Sequence, residues 1–336
     1  MNLIKIITGA LLMSGLSSCI STPADTRAEL SIERRVFKPM LDGKWIGNGI
    51  SYGAYRDGES PDDGSLTSKE NILEDLSLIA KRWNMIRMYG SEPQSENIIQ
   101  VIRDNNLPIR VMLGAWIDAH WTKEKNETQV REVIRLANKF SNEVIAVNIG
   151  NEIFVDWSWH GIKGEAGMDG VIRYIRDVRS KIKQPVTVSD DYNFWNKPHA
   201  DKIVAEIDFI ALHAYAFWNN KTLAESMDWT KAIYSDIQSR YPDVTLALCE
   251  SGWPTGRIYD DGSHEGGLIG KAGEDEQKIF FELYNHWVDA NGINSFYFSA
   301  FDENWKGGFD GTNPNDKCEK HWGVYNADRT PKKLLK

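Results

Sequence analysis

The chain has 336 residues, 41% hydrophobic and 26% charged, a globular composition that excludes a disordered chain. Its 39 basic against 48 acidic side chains give a net charge of −9, which argues against nucleic acid, because a phosphate binder needs a basic face. Thirteen tryptophans are many for this length, and flat apolar rings with a polar edge suit both cores and sugar-binding clefts.

Residues 1–18 read as a targeting segment. Lys5 supplies the positive start, and Ile6 to Leu16 form an apolar run too short to span a bilayer. The run ends Leu16-Ser-Ser-Cys19, which resembles the bacterial lipobox, whose cysteine is lipidated and becomes the mature N-terminus. That resemblance implies a chain held at the bacterial cell envelope by lipid at Cys19 alone. Ile20 in the next position implies the outer membrane. The alternative is an ordinary secretory signal with a chance cysteine. Residues 19–38 are polar and contain proline, and read as a tether. Residues 39–336 remain as one domain. A disulfide between Cys249 and Cys318 is one option in an oxidising compartment, and a small buried thiol in a strand is the other.

Short β-branched or apolar runs predict strands at Gly49–Tyr52, Met85–Tyr89, Ile109–Leu113, Val144–Asn148, Val186–Ser189, Phe209–His213, Thr245–Cys249 and Ser295–Ser299. Helical periods separate most of them. Ser68–Trp83 puts Ile72, Leu76 and Ile79 on one face, and Val130–Phe140 and Gly170–Ile182 repeat the pattern. Thr222–Tyr241 is a weaker helix, and the connection around Pro198–Ala205 is short. In Glu276–Ala290 the expected buried face is Ile279, Phe280, Leu283 and Trp287. Eight strands alternating with helices imply parallel pairing through right-handed crossovers. Ile46 to Phe301 spans 256 residues, or 32 per unit, which predicts a single (β/α)8 TIM barrel. An open doubly wound sheet would need a glycine-rich phosphate turn after its first strand, and Gly47-Asn-Gly49 precedes that strand instead.

In such a barrel chemistry belongs to the C-terminal ends of the strands. Two glutamates stand there, Glu152 and Glu250, each directly after a run apolar enough to be buried. A carboxylate in that position must be paired or functional. Two carboxylates across a barrel mouth suit glycosidic cleavage, one protonating the leaving oxygen and the other attacking the anomeric carbon. Asn151, just before Glu152, offers a neutral amide to a sugar 2-hydroxyl.

These residues resemble glycoside hydrolase family 17, the β-1,3-glucanase family of the retaining (β/α)8 clan. Gly49-Ile-Ser-Tyr-Gly-Ala-Tyr-Arg-Asp-Gly-Glu-Ser-Pro61, Ile86-Arg-Met-Tyr-Gly90, Asn148-Ile-Gly-Asn-Glu152, Glu250-Ser-Gly-Trp-Pro-Thr255, Phe298-Ser-Ala-Phe-Asp-Glu-Asn-Trp-Lys306 and His321-Trp-Gly-Val-Tyr325 follow in the family's order. The resemblance implies Glu152 as acid/base and Glu250 as nucleophile, with Glu303, Lys306 and Glu319 as supporting charges. Lys306 is then placed to keep Glu250 ionised. Arg87 and Tyr89 on the second strand and Tyr215 after the sixth are expected to orient the nucleophile. His213 reads as a core or rim hydrogen-bonding residue.

Tyr52, Trp116, Asp118, Asp191, Tyr192, Trp218, Trp253 and Trp305 are expected to bind sugar, although either aspartate could instead cap a helix. Few basic residues lie at the predicted rim beyond Arg56, Arg87 and Lys306, so the expected partner is a neutral β-glucan of laminarin type. Endo hydrolysis by a monomer is the first reading. The alternatives are a β-1,3-glucan transglycosylase, a clan relative cutting β-1,4 or β-1,6 links, and a non-catalytic glycan-binding lipoprotein. No metal or organic cofactor is implied, because the seven histidines show no ligand-like spacing.

Overall fold

The structure, a computed structural model, describes residues 32–259, 262, 264–306 and 318–336. The targeting segment, Cys19 and the first part of the expected tether lie outside the described residues. Among the described residues no helix is long and apolar enough to cross a membrane.

Eight parallel strands close a barrel: β1 (Asn48–Ser51), β2 (Met85–Arg87), β3 (Arg110–Ala115), β4 (Val144–Asn151), β5 (Val186–Asp191), β6 (Phe209–His213), β7 (Thr245–Ser251) and β8 (Ser295–Tyr297). Each strand pairs with its neighbours in sequence, and β8 closes on β1. All eight expected strands are present. The connecting helices are α1 (Lys69–Ile79), α2 (Pro93–Asp104), α3 (Lys123–Lys139), α4 (Gly164–Lys181), α5 (Tyr192–Trp195), α6 (Ala200–Val204), α7 (Leu223–Arg240) and α8 (Glu274–Asn291). Local signals start and stop them. Ser68 accepts the Asn71 N–H at the start of α1, Thr222 and Glu225 form a capping box on α7, and Gly292 ends α8 at φ +59°.

Two elements differ from the sequence expectation. Helix α2 was not foreseen, although Pro93 at its first turn is a start signal. Helix α8 turns another face inward. It buries Gln277, Phe280, Phe281, Tyr284 and Val288 and leaves Ile279 46% and Leu283 50% exposed. Apolar residues occupy both faces of this helix, so periodicity could not choose between them. The inward face carries Phe280, Phe281 and Tyr284, and Gln277 Nε2 on it donates to the carbonyls of Trp253 and Gly323 at 3.1 and 3.0 Å.

The barrel interior changes character along its axis. Met85, Met112, Ala146, Phe209, Ala211, Ala247, Cys249 and Phe296 fill the lower layers. Cys249 is a free, buried thiol in that apolar set. The last residues of the segment expected to be a tether close the floor: Phe37 stacks on Phe209 at 4.3 Å. Its carbonyl accepts from Asn294 at 2.9 Å, and the Arg35 N–H donates to Asp208 at 2.8 Å. Higher up, Arg87, Asn148, Ser189 and His213 are polar and fully buried. Groups so placed must be hydrogen-bonded or functional.

Candidate active site

Period-2 alternation sends Arg87 and Tyr89 to one face of β2, and His213 and Tyr215 to one face of β6. Strand register sets His213 beside Glu250. The end of β4 is irregular. Its pairing with β5 shifts between Asn148 and Asn151, and Gly150 adopts φ +82°. Glu152 follows at φ +50°, a conformation disfavoured for a residue with a Cβ. Its N–H is tied to the Ser189 carbonyl at 2.8 Å. This kink carries Glu152 over the mouth, where a regular strand would have pointed it elsewhere.

Both oxygens of Glu250 are held. Arg87 Nη1 donates to Oε1, the Tyr89 hydroxyl donates to the same oxygen at 3.1 Å, and the Tyr215 hydroxyl donates to Oε2 at 2.6 Å. The other guanidinium arm of Arg87 donates to Asn151 Oδ1 at 2.5 Å, so one arginine sets both the nucleophile candidate and the amide. Burial opposes ionisation of Glu250. The charges of His213 and Arg87 and the bonds from Tyr215 and Arg87 outweigh it and hold the carboxyl at about 2.

Glu152 has the opposite environment. Burial, then the charges of Glu250, Asp191 and Glu319, push its carboxyl well above the usual carboxylate range. His213 links the pair. Nδ1 lies 2.9 Å from Glu152 Oε1, and Nε2 lies 3.6 Å from Glu250 Oε1. Burial pushes the imidazole down to about 4, so it is neutral at neutral pH. The neutral ring thus stands between the two carboxyl groups.

Donor atoms of Glu152, His213 and Glu250 lie within 4.8 Å of one another, a grouping that could ligate a cation. The Arg87 guanidinium already sits on Glu250 and repels one, so the donor set favours proton chemistry. Carboxyl groups of retaining glycosidases lie about 5–5.5 Å apart, and those of inverting enzymes about 6.5–9.5 Å. One carboxyl oxygen of Glu152 and one of Glu250 lie within 4.8 Å of each other.

The supporting charges are placed differently from the expectation. Lys306 Nζ pairs with Glu303 Oε2 at 2.6 Å, and Glu303 Oε1 accepts from Trp305 Nε1 at 3.2 Å. Burial works against the Lys306 ammonium, and the charges of Glu303, Glu319 and Glu250 raise its pKa despite it. The direct contact that ionises Glu250 therefore comes from Arg87, while Lys306 pairs with Glu303 and is coupled to Glu250 by charge alone. Gly53 is required here, because a Cβ on it would overlap the Glu303 carboxylate.

The expected sugar-binding residues divide. Tyr52 is buried, and its hydroxyl donates at 3.1 Å to Asp75, which Arg56 and Arg329 also bind. Trp253 is fully buried between Phe217 and Phe280, with Nε1 on the Lys271 carbonyl at 2.9 Å. Neither presents a face to a ligand, which corrects both expectations. Asp118 and Asp191 are buried and bond locally: Asp118 Oδ1 accepts the His120 N–H at 2.7 Å, and Asp191 caps α5 through Asn193 at 2.8 Å. Asp191 still acts on Glu152 through its charge. Trp116, Tyr192, Trp218 and Trp305 are half-buried beside the mouth.

Sequence reasoning missed His160. Its Nε2 lies 2.7 Å from the Asn151 carbonyl, and its ring packs on Trp116 at 4.8 Å and Trp159 at 5.2 Å. Trp159 stacks in turn on His120 at 5.6 Å. Trp157 and Trp159 are 60% and 71% exposed, so this aromatic ladder runs from the catalytic strand end to solvent.

The chain is 28% identical over 283 residues to a probable glucan endo-1,3-beta-glucosidase of Aspergillus clavatus. That match covers 80% of this chain but only 39% of the relative's length. Among solved structures, an endo-laminarinase from Formosa matches with TM-score 0.73 at 22% identity, covering 86% of each chain. A Rhizomucor miehei beta-1,3-glucanosyltransferase mutant, in complex with laminaritriose, matches with TM-score 0.67 at 20% identity, covering 85% of this chain and 96% of that one. At such identities these two likenesses show the fold alone. The match to the BtgE/BtgC glycoside hydrolase domain runs over residues 49–323, most of the chain and all eight strands. It takes in every charged residue around Glu152 and Glu250, and the chain belongs to the BtgE/BtgC glycoside hydrolase domain family.

Proposed function

We propose that this protein is a retaining glycosidase that cleaves β-1,3-glucan within the chain. The observation that carries the reading is the facing pair Glu152 and Glu250, close together and driven to opposite protonation states. Glu250 attacks the anomeric carbon as Glu152 gives its proton to the departing glycosidic oxygen, which leaves a glycosyl ester on Glu250. Glu152, now ionised, takes a proton from water, and the oxygen of that water displaces Glu250. With Asn151 Oδ1 held by Arg87, the amide N–H group is the part left to meet the sugar 2-hydroxyl. The named activity of the fungal relative, a probable glucan endo-1,3-beta-glucosidase, supports this substrate.

The aromatic ladder favours a second reading, transfer to a sugar acceptor. The leaving group sits on the acid's side of the site. Trp116, His160 and Trp159 extend from Asn151 beside that acid, and such rings pack on pyranose faces.

Laminarin, lichenan, pustulan and mannan digests, followed by mass and by the anomeric configuration of the first product, test both readings. We expect short β-1,3-oligosaccharides released first as the β-anomer, with chains longer than the substrate at high oligosaccharide concentration. First products of α configuration would end the double-displacement mechanism. Absence of product from all four polymers would leave a glycan-binding protein.

The same proposal places the protein at the cell envelope, lipid-anchored through Cys19. The Leu16-Ser-Ser-Cys19 run supports this. Cys19→Ser is expected to move the protein from the membrane fraction to the soluble one. Unchanged membrane association would overturn it.

A further inference from the structure

The loop after β2 carries a carboxylate that the mechanism leaves unused. Glu92 stands two residues beyond Gly90, and its side chain folds back so that a Cβ on Gly90 would overlap both carboxylate oxygens. Gly90 follows Tyr89, which touches Glu250, so this fold sets Glu92 at the edge of the mouth.

The placement is built from several residues. Gln129 Nε2 donates to Glu92 Oε1 at 2.8 Å. The Oε1 of Gln129 is fixed in turn by the N–H groups of Ser91 and Trp116 at 2.9 and 3.1 Å, and by the Ser91 hydroxyl at 2.8 Å. Among the described residues no cation pairs with Glu92 at ion-pair distance. Glu92 is partly exposed and stands at the N-terminus of α2. Burial pushes the Glu92 carboxyl upward.

Glu92 and Glu303 both act on Tyr55 through their charges. After burial, the charges of these two glutamates are the strongest influences raising its pKa. Its ring meets Trp305 edge-on at 5.9 Å. The mouth therefore repeats one device twice: a glycine at a strand end lets a carboxylate lie across it, Gly53 under Glu303 and Gly90 under Glu92. Lys306 neutralises the first carboxylate. The second has no cation at ion-pair distance among the described residues, only the charge of Lys125 from further off, and Tyr55, which meets Trp305, senses it.

We propose that Glu92 and Tyr55 form a subsite for a neutral hexose unit away from the cleavage point, with the Glu92 carboxylate accepting hydrogen bonds from sugar hydroxyls beside Trp305. This rests on the glucanase reading above. A carboxylate takes two adjacent hydroxyl donors at once, and charged acceptors make the stronger hydrogen bonds. Glu92 acts in binding and touches no reacting atom.

The test uses laminaribiose to laminariheptaose with the wild-type chain, Glu92→Ala and Glu92→Gln. Wild-type cleavage of the series is established first, and its absence would remove the glucanase reading before any variant is compared. We expect the loss in kcat/KM for Glu92→Ala to grow with chain length, reaching about 10- to 100-fold once the chain fills the subsite. The change should appear in KM more than in kcat. Glu92→Gln, which keeps an acceptor but not the charge, should lose less. A loss of equal factor at every length would mean that Glu92 only positions α2 and α3, and would overturn the proposal. So would equal kinetics for wild type and Glu92→Ala across the series. Calorimetric titration of laminaripentaose into a Glu250→Gln background gives a second readout. Weaker binding on adding Glu92→Ala supports the subsite, and unchanged binding contradicts it.

Discussion

Glu250→Gln should lower kcat/KM on β-1,3-oligosaccharides by at least about 10⁴-fold, because no other group can form the glycosyl ester. Gln keeps the shape of the side chain and one acceptor oxygen, enough for either the Tyr89 or the Tyr215 donor but not for both, and it removes the charge that Arg87 faces. The exchange is nearly isosteric and leaves the strand pairing of the barrel and its apolar lower layers in place, so circular dichroism should be unchanged. Arg87 stays bonded to Asn151, which limits the cost of its lost partner. Steady-state kinetics with a melting curve check both halves. Activity within about tenfold of wild type would remove Glu250 from the nucleophile role, by a margin well outside what hydrogen bonds alone supply.

Glu152→Ala should show a different pattern. Removing a general acid costs about 10²–10⁴-fold, and the cost depends on how much the leaving group needs its proton. Oligosaccharides should lose most, and an activated aryl β-glucoside least. Azide should restore turnover by entering the space left by the carboxylate and should yield a β-glycosyl azide. Equal losses on both substrate types would argue that Glu152 is structural.

The pH profile joins the two residues. Glu250 must be ionised and its pKa is depressed to about 2, so activity falls only in strong acid as that carboxylate protonates. Glu152 must carry a proton and its pKa is raised, so activity falls on the alkaline side as that proton is lost. Measured on Glu152→Ala with the activated glucoside, the alkaline limb should disappear and the acid limb should remain. An alkaline limb that persists in this variant would assign it to another group.

Much of this was legible in the linear chain because the signals are local. Strand runs and helical periods of a few residues give the eight-unit count, and with it the mouth at the strand ends. The apolar runs before Glu152 and Glu250 mark both as buried carboxylates. The Asn-Glu pair and the Glu-Ser-Gly-Trp-Pro run carried the family resemblance. Even His213 could be read as a hydrogen-bonding rim residue, although not as the bridge between two carboxylates.

What the tertiary structure alone decided depends on residues far apart in sequence. Arg87 meets Glu250 across 163 residues, and His213 meets Glu152 across 61. No local pattern says that Arg87, in place of Lys306, touches the nucleophile candidate. Nor does one say which tryptophans face water: Trp253 and Trp159 both follow barrel strands, yet one is fully buried and the other 71% exposed. Helix α8 turns Phe280, Phe281 and Tyr284 inward, with apolar residues on offer on both sides. The Glu92 carboxylate lies across Gly90, in space that a side chain there would have to share. The sequence by itself determined the units and the chemistry they carry. Closure of the barrel determined which of those groups touch, because only there do eight strand ends converge and set each carboxylate's protonation by its neighbours.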